Sequence, residues 1–407
     1  MATTGSYPVV VTNPTPGGGT SNVMYFTITS TAPAGSGEWT WMSGSSTENV
    51  AGVYGRLGVP AANNMPGGII YAVSWIDGSD NLWLFGGRGQ DSPSIDNNGS
   101  LNTLWEFNPS SKMWTWESGS STVEEGHNGN YGTQGVPSST NVPGSRFWAN
   151  SWIDTSGNLW LFGGYGLDSQ GTMYNLNDLW EFNPTIKMWT WVSGGNIGYQ
   201  SGVYGTQGTA AASNVPGGRS SAESWIDGNG NLWLYGGWSF GYGAYSNGYG
   251  DLWEFNPTTK MWTWVSGTKT SGANSVYGTQ GVPAGTNTPG FRVSSARWID
   301  SSGNLWLFGG DGTVSDGTGG PLNDLWEFNP SSKMWTWVSG SNTANAAGVY
   351  GTMGVPAAGN VPGARFGSVS WIDAQGNLWL FGGVGNDSTE IPFSLQGYLN
   401  DLWRYQP

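Results

Sequence analysis

The chain carries one histidine, His127, and no cysteine, so little of the usual catalytic equipment is present. Without cysteine there is no thiolate nucleophile, no thiolate metal site and no disulfide. One histidine cannot build a multi-histidine zinc site. It also makes a Ser-His-Asp triad a poor expectation, even though His127 falls in a long connection. Carboxylates come next. Glycoside hydrolysis needs two acids placed across one bond, and of the five [S/R]-W-I-D elements only one has an acid two residues before its Trp, Glu223. The acids Asp91, Asp168, Asp311, Asp316 and Asp387 stand in long connections, where nothing in the sequence fixes them. Asp-x-x-Gly-Asn segments offer oxygen ligands of the kind calcium takes, but Asp and Asn beside Gly are also the residues of tight turns. The turn reading is preferred, and no metal or other cofactor is expected.

Binding chemistry is better represented. Arg146, Arg219, Arg292 and Arg365 each follow Pro-Gly-x at the start of a strand, and Ile69 takes that place in the first repeat. Such a series either rings an opening and catches a carboxylate or sulfate, or pairs internally with neighbouring Asp residues or loop carbonyls. Its regularity favours the internal pairing. Of 27 Trp, 25 occupy five positions that each recur five times, which is the pattern of a core. Trp148 and Trp238 stand off that pattern. Trp238 opens a connection that also holds Phe240, Tyr242, Tyr245 and Tyr249, rings able either to stack on sugars or anchor a protein, or to pack on one another. Tyr54, Tyr131, Tyr204, Tyr277 and Tyr350 recur in every repeat and read as pins for a long connection.

These side chains ride on a repeat. N-L-W-L-[F/Y]-G-G begins at Asn81, Asn158, Asn231, Asn304 and Asn377, at intervals of 77, 73, 73 and 73 residues. L-W followed by a charge and an aromatic has its Trp at 105, 180, 253, 326 and 403, and W-T-W begins at 39, 114, 189, 262 and 335. Each element is short, rich in Trp, Leu, Phe, Ile or Val, and bounded by turn residues, so each reads as a strand. L-W-L-F is apolar on both faces, as a strand covered on both sides must be. Four strands per repeat set radially make a propeller. The last repeat lacks its W-T-W strand, and one spare W-T-W stands at Trp39 to Trp41. If that strand joins the last repeat, five blades are complete and the ring is sealed by pairing the chain's start with its end.

The double glycine after the second strand, the aromatic in the third and the Trp opening the fourth resemble the kelch repeat. The resemblance covers roughly residues 38 to 407. It implies an all-β fold, a five-bladed kelch-type β-propeller of four strands per blade. The departure is length, since kelch units run to ~50 residues and the surplus here lies mainly between the fourth and first strands. Some kelch domains contact acidic ligands through inner-strand arginines, which would give the arginine series a role. The same fold carries galactose oxidase-like copper radical enzymes, whose two histidines and Tyr–Cys cross-link this chain cannot supply.

In such a blade the short Asp-x-x-Gly-Asn and Asn-Pro-x-x-Lys turns share one end, and the long connections share the other. Variable loops on a repeated scaffold are where binding resides, which places the functional face at the long-loop end. A net charge of −14 with five lysines repels phosphate backbones and argues against nucleic acid. No apolar run is long enough to span a membrane. Residues 1–30 read as a hairpin that resembles the last strands of a bacterial Ig-like surface module, which suggests that the natural chain begins further upstream. Residues 31–407 read as the propeller. The expectation is a monomeric, non-catalytic binding propeller on or outside a bacterial cell, recognising a glycan or a protein. A structural spacer or assembly unit of a surface protein is the second reading, and a glycan-active hydrolase the weakest.

Overall fold

A computed structural model describes residues 5–9, 24–28, 41–47, 50–89, 99–121, 126–239, 248–389 and 397–407. The chain divides into two compact units, Met1–Gly44 and Ser45–Pro407. In the first unit Gly5–Val9 pairs antiparallel with Met24–Ile28, the hairpin expected from the two apolar runs and their Pro/Gly-rich link. Most of the spare W-T-W segment, residues 39–40, lies outside the described residues.

The second unit is a succession of antiparallel sheets with no helix among the described residues. The first sheet runs Val73–Ile76, Leu82–Phe85, Leu104–Asn108, Met113–Ser118. The second is Asn150–Ile153, Leu159–Phe162, Leu179–Asn183, Met188–Ser193, and the third Glu223–Ile226, Leu232–Tyr235, Asp251–Asn256, Met261–Gly267. The fourth is Ala296–Ile299, Leu305–Thr313, Gly319–Asn329, Met334–Ser339. The fifth has three strands among the described residues, Val369–Ile372, Leu378–Gly385 and Gly397–Tyr405. Apart from the W-T-W segment at 39–41, every strand named from the repeat is present in its expected order.

Local chemistry explains each turn. Asp77 accepts the backbone N–H groups of Ser79 and Asn81 on one carboxylate oxygen, and the Asn81 amide and Trp83 indole on the other, all at 2.9–3.0 Å. Asp154, Asp227, Asp300 and Asp373 are engaged in the same way. Protein donors thus fill the acceptor sites that calcium would have used, in keeping with the turn reading.

The core lies between sheets. The second strand of the second sheet, Leu159–Phe162, is buried at every position. Apolar clusters join the first sheet to the second, the second to the third, the third to the fourth and the fourth to the fifth. The first strands of successive sheets neighbour one another. Their Trp indoles reach across: Trp75 donates to the carbonyl of Trp152, Trp152 to Trp225, and Trp298 to Trp371, at 2.8–2.9 Å. The double glycine serves the same junction. Gly163 has φ +62°, and a Cβ there would lie 2.7 Å from the carbonyl oxygen of Arg219 in the next repeat. Only glycine lets that backbone approach.

The two terminal faces differ from the rest. Leu82 of the first sheet is 39% exposed, whereas its counterparts Leu159, Leu232, Leu305 and Leu378 are buried. Trp371 of the fifth sheet is 50% exposed, whereas Trp75, Trp152, Trp225 and Trp298 are buried. Among the described residues no apolar cluster joins the fifth sheet to the first.

Candidate functional site

The arginine series points inward. Arg146 donates through both terminal nitrogens to the two oxygens of Asp178, each at 2.7 Å, and also to the carbonyls of Gly144 and Gly163. Asp178 further accepts the Tyr131 hydroxyl and the Trp180 indole, both at 2.7 Å. The same four-residue cluster recurs as Tyr204, Arg219, Asp251 and Trp253, as Tyr277, Arg292, Asp324 and Trp326, and as Tyr350, Arg365, Asp401 and Trp403. All four arginines are buried. Of the two alternatives the sequence left open, the described geometry is the internal one that regularity favoured: each guanidinium charge is matched by an Asp of its own repeat. Burial, reinforced by the adjacent carboxylate, pushes the phenols of Tyr131, Tyr204 and Tyr277 up, and Tyr350 up to about 12. Burial works against the Asp401 carboxylate, but hydrogen bonds from Arg365, Trp403 and Tyr350 hold it down at about 2.

The first repeat lacks both charges. Ile69 stands for the Arg and Thr103 for the Asp, and the buried Trp105 indole N–H has no hydrogen-bond partner among the described residues. Cation and anion disappear together, as a buried pair requires. The Asp of L-N-D was legible in the sequence as the arginine's partner, because the two are lost in the same repeat.

The aromatic connection after Trp238 is partly described. Trp238 is buried against Phe291 and Val293, its ring centroid 4.8 Å from that of Phe291. Tyr249 is also buried, its ring 4.1 Å from the Arg219 guanidinium. These two rings pack inward rather than presenting a surface. Phe240, Tyr242 and Tyr245 lie outside the described residues.

Trp148 occupies a different place. Five equivalent positions, Tyr71, Trp148, Ser221, Ser294 and Gly367, all hold left-handed backbone with φ between +54° and +68°. This geometry turns each N–H toward the preceding repeat, so Trp148 donates to the carbonyl of Tyr71, Ser221 to Trp148, and Gly367 to Ser294, at 2.8–3.3 Å. The backbone requirement is thus structural, and small residues satisfy it in three repeats. In the other two a large aromatic sits where a bulky residue is disfavoured, at a cost of order 1–3 kcal/mol each. The Tyr71 and Trp148 rings lie 5.0 Å apart.

These two rings border a cavity of about 230 Å³ beside the converging first strands, lined also by Asn150, Ser151, Ser224 and Arg297. Arg297 is half exposed there (47%) and donates to Glu223 at 3.1 Å. Glu223 is buried and accepts the backbone N–H of Ser295 at 2.7 Å. Burial pushes its carboxyl up, and Arg297 opposes that rise. Asn150 is buried, gives its amide N–H to the Ala222 carbonyl, and keeps a side-chain oxygen without a hydrogen-bond partner among the described residues. Sequence reasoning singled out Trp148 and Glu223 but missed Tyr71, Asn150 and Arg297. The signal available was departure from the repeat: Ser is usual where Arg297 stands, and Tyr71 shares the register of Trp148.

The fold and site define an all-β protein of propeller-like sheets. No family model matches the chain, and no curated protein does. Among solved structures the chain is similar to YjhT, with 15% identity over 82% of this chain and 75% of that one, at a TM-score of 0.44. No helix is long and apolar enough to cross a membrane among the described residues.

Proposed function

We propose that the five sheets are the blades of one kelch-type propeller, and that it is a non-catalytic binding protein at a bacterial cell surface or outside the cell. Its ligand, a glycan or a protein, docks at the long-loop end over the cavity of Tyr71, Trp148 and Arg297. The observation that carries this reading is the pair of aromatics held in left-handed backbone at the cavity's rim, where serine and glycine fill the equivalent positions elsewhere. A flat apolar body beside hydroxyl groups and one guanidinium suits a polar ligand with a ring or aliphatic face. The two terminal faces, exposed among the described residues, match the two halves of the interface repeated between neighbours, so that closing the ring would bury them. Catalysis by paired acids finds little support, because Glu223 is held by Ser295 and Arg297 and the cavity lining brings no second carboxylate among the described residues.

The test is a glycan array read beside a surface-protein capture assay, using the protein and its Trp148→Ala and Tyr71→Ala variants. Binding lost in both folded variants supports the reading. Binding unchanged in both moves the site elsewhere, and silence in every assay favours the spacer, which the internally paired arginines also suit.

A further inference from the structure

The long-loop end of the second repeat carries another aromatic pair. Tyr174 and Tyr199 are 45% and 50% exposed, and their ring centroids lie 5.6 Å apart with the planes inclined at 42°. Neither residue belongs to the repeat, so neither is explained by the core pattern that accounts for most aromatics of this chain. Ile197, also exposed, stands in the same connection as Tyr199.

The pair is held in place. Tyr174 comes from the hairpin between the second and third strands, in Met173–Asn175, and Tyr199 from the connection between the fourth strand and the next repeat. Asp168 fastens the two segments. It is buried, its one oxygen accepts the N–H groups of Gln170 and Thr172, and its other oxygen accepts that of Gly198 at 2.9 Å. Two backbone bonds add to this, Ser169 N–H to the Asn196 carbonyl and Tyr199 N–H to the Asn175 carbonyl, at 2.9 and 3.0 Å. Gly198 lets the chains approach: a Cβ there would lie 2.6 Å from the Tyr174 Cβ. Tyr199 itself is in left-handed backbone, φ +63°. An interior carboxylate, a required glycine and a strained aromatic together fix two exposed rings that the core does not need.

We infer that Tyr174 and Tyr199 form a stacking platform for a neutral polysaccharide chain. The inference rests on the reading that this end of the molecule binds glycans, and it names the ligand class and a second contact. Tyrosine rings offer an apolar face to sugar C–H groups and a hydroxyl to sugar hydroxyls. The net charge of −14 sets an electrostatic cost on acidic glycans and none on neutral ones.

The test is affinity electrophoresis of the full chain in gels containing soluble β-glucan, α-glucan, xylan or galactomannan, with alginate and polygalacturonate as acidic probes. Retardation is expected with at least one neutral polymer and with neither acidic one. Tyr174→Ala and Tyr199→Ala should each weaken it about tenfold, the effect of about 1.4 kcal/mol, while Tyr174→Phe, which keeps the ring, restores most of it. Because both side chains are exposed, melting temperatures should stay at the parental value. Retardation that survives the double alanine variant but fails in Trp148→Ala overturns the platform and leaves the cavity reading standing. Retardation by acidic polymers alone overturns the ligand class. No retardation by any polymer overturns the platform and the glycan branch of the proposed function together.

Discussion

The first repeat has already performed a double substitution that the other four invite. Where Arg219 and Asp251 stand in the third, the first carries Ile69 and Thr103. Consider Arg219→Ile alone. The guanidinium is wholly buried and bonded to both oxygens of Asp251 at 2.6 and 2.9 Å. Its removal leaves a buried carboxylate held only by the Tyr204 hydroxyl and the Trp253 indole. An uncompensated charge of this kind costs about 3–5 kcal/mol. Asp251→Thr strands the cation instead and should cost a similar amount. The double variant Arg219→Ile with Asp251→Thr buries no charge. It leaves the Gly217 and Gly236 carbonyls, the Tyr204 hydroxyl and the Trp253 N–H to find partners, for about 1–3 kcal/mol. The double variant should therefore be more stable than either single one, a strongly non-additive cycle. Urea unfolding followed by Trp fluorescence reads this directly, since a loss of about 3–5 kcal/mol at a slope of roughly 3 kcal/mol per molar moves the midpoint by about 1 M or more. Additive losses, or single variants with midpoints within error of the parent, would refute the claim that the two charges form one buried unit.

Three other outcomes follow from the same structure. Gly163→Ala, which meets both left-handed backbone and a carbonyl at 2.7 Å, should lower the melting temperature far more than Gly157→Ala, whose backbone is also left-handed but whose side has open space; equal losses in calorimetry would mean that the double-glycine junction is not close-packed. Asp401 is held at about 2, below an ordinary Asp near ~3.9, so its contribution is complete above pH ~4 and is lost as pH falls toward 2; Asp401→Asn should flatten that part of an acid titration monitored by circular dichroism. If the blades close a ring, Trp371→Glu places a charge inside a covered interface and destabilises by well over 1 kcal/mol, whereas on an open face the change stays within about 0.5 kcal/mol; thermal melts separate the two.

Much of the architecture was legible because each repeat repeats its reasons. Asp-x-x-Gly-Asn predicts a turn, and the structure shows Asp77 saturated by that turn's own donors. Leu-Trp-Leu-Phe predicts burial on both faces, and Leu159–Phe162 is buried throughout. The arginines were harder. Sequence placed them at the start of the first strand, and regularity favoured internal pairing without naming the partner. That partner is the Asp two residues before the Trp of the third strand, 32 positions away in the second repeat. Trp238 misled for a related reason: a ring outside the repeat reads as surface, yet Phe291 and Val293, 53 and 55 positions further on, cover it.

The same distinction bears on function. Side chains that recur across the repeats are explained by the fold: four of the five recurring tyrosines bond to an aspartate of the third strand, and Trp indoles bond to turns and neighbouring sheets. What the repeat leaves unexplained is a short set, namely Tyr71, Trp148 and Arg297 around one cavity, and separately Tyr174 with Tyr199. Each of the four aromatics departs from the repeat consensus, and three of them, Tyr71, Trp148 and Tyr199, sit in left-handed backbone. Selection for stability alone would have put glycine, asparagine or serine at those three positions, as it has in the equivalent places of other repeats. Left-handed backbone also occurs at the lysines of the Asn-Pro-x-x-Lys turns, but among the described residues it carries a large aromatic only at these three positions, and that departure is what the proposed binding role would account for and the spacer would not.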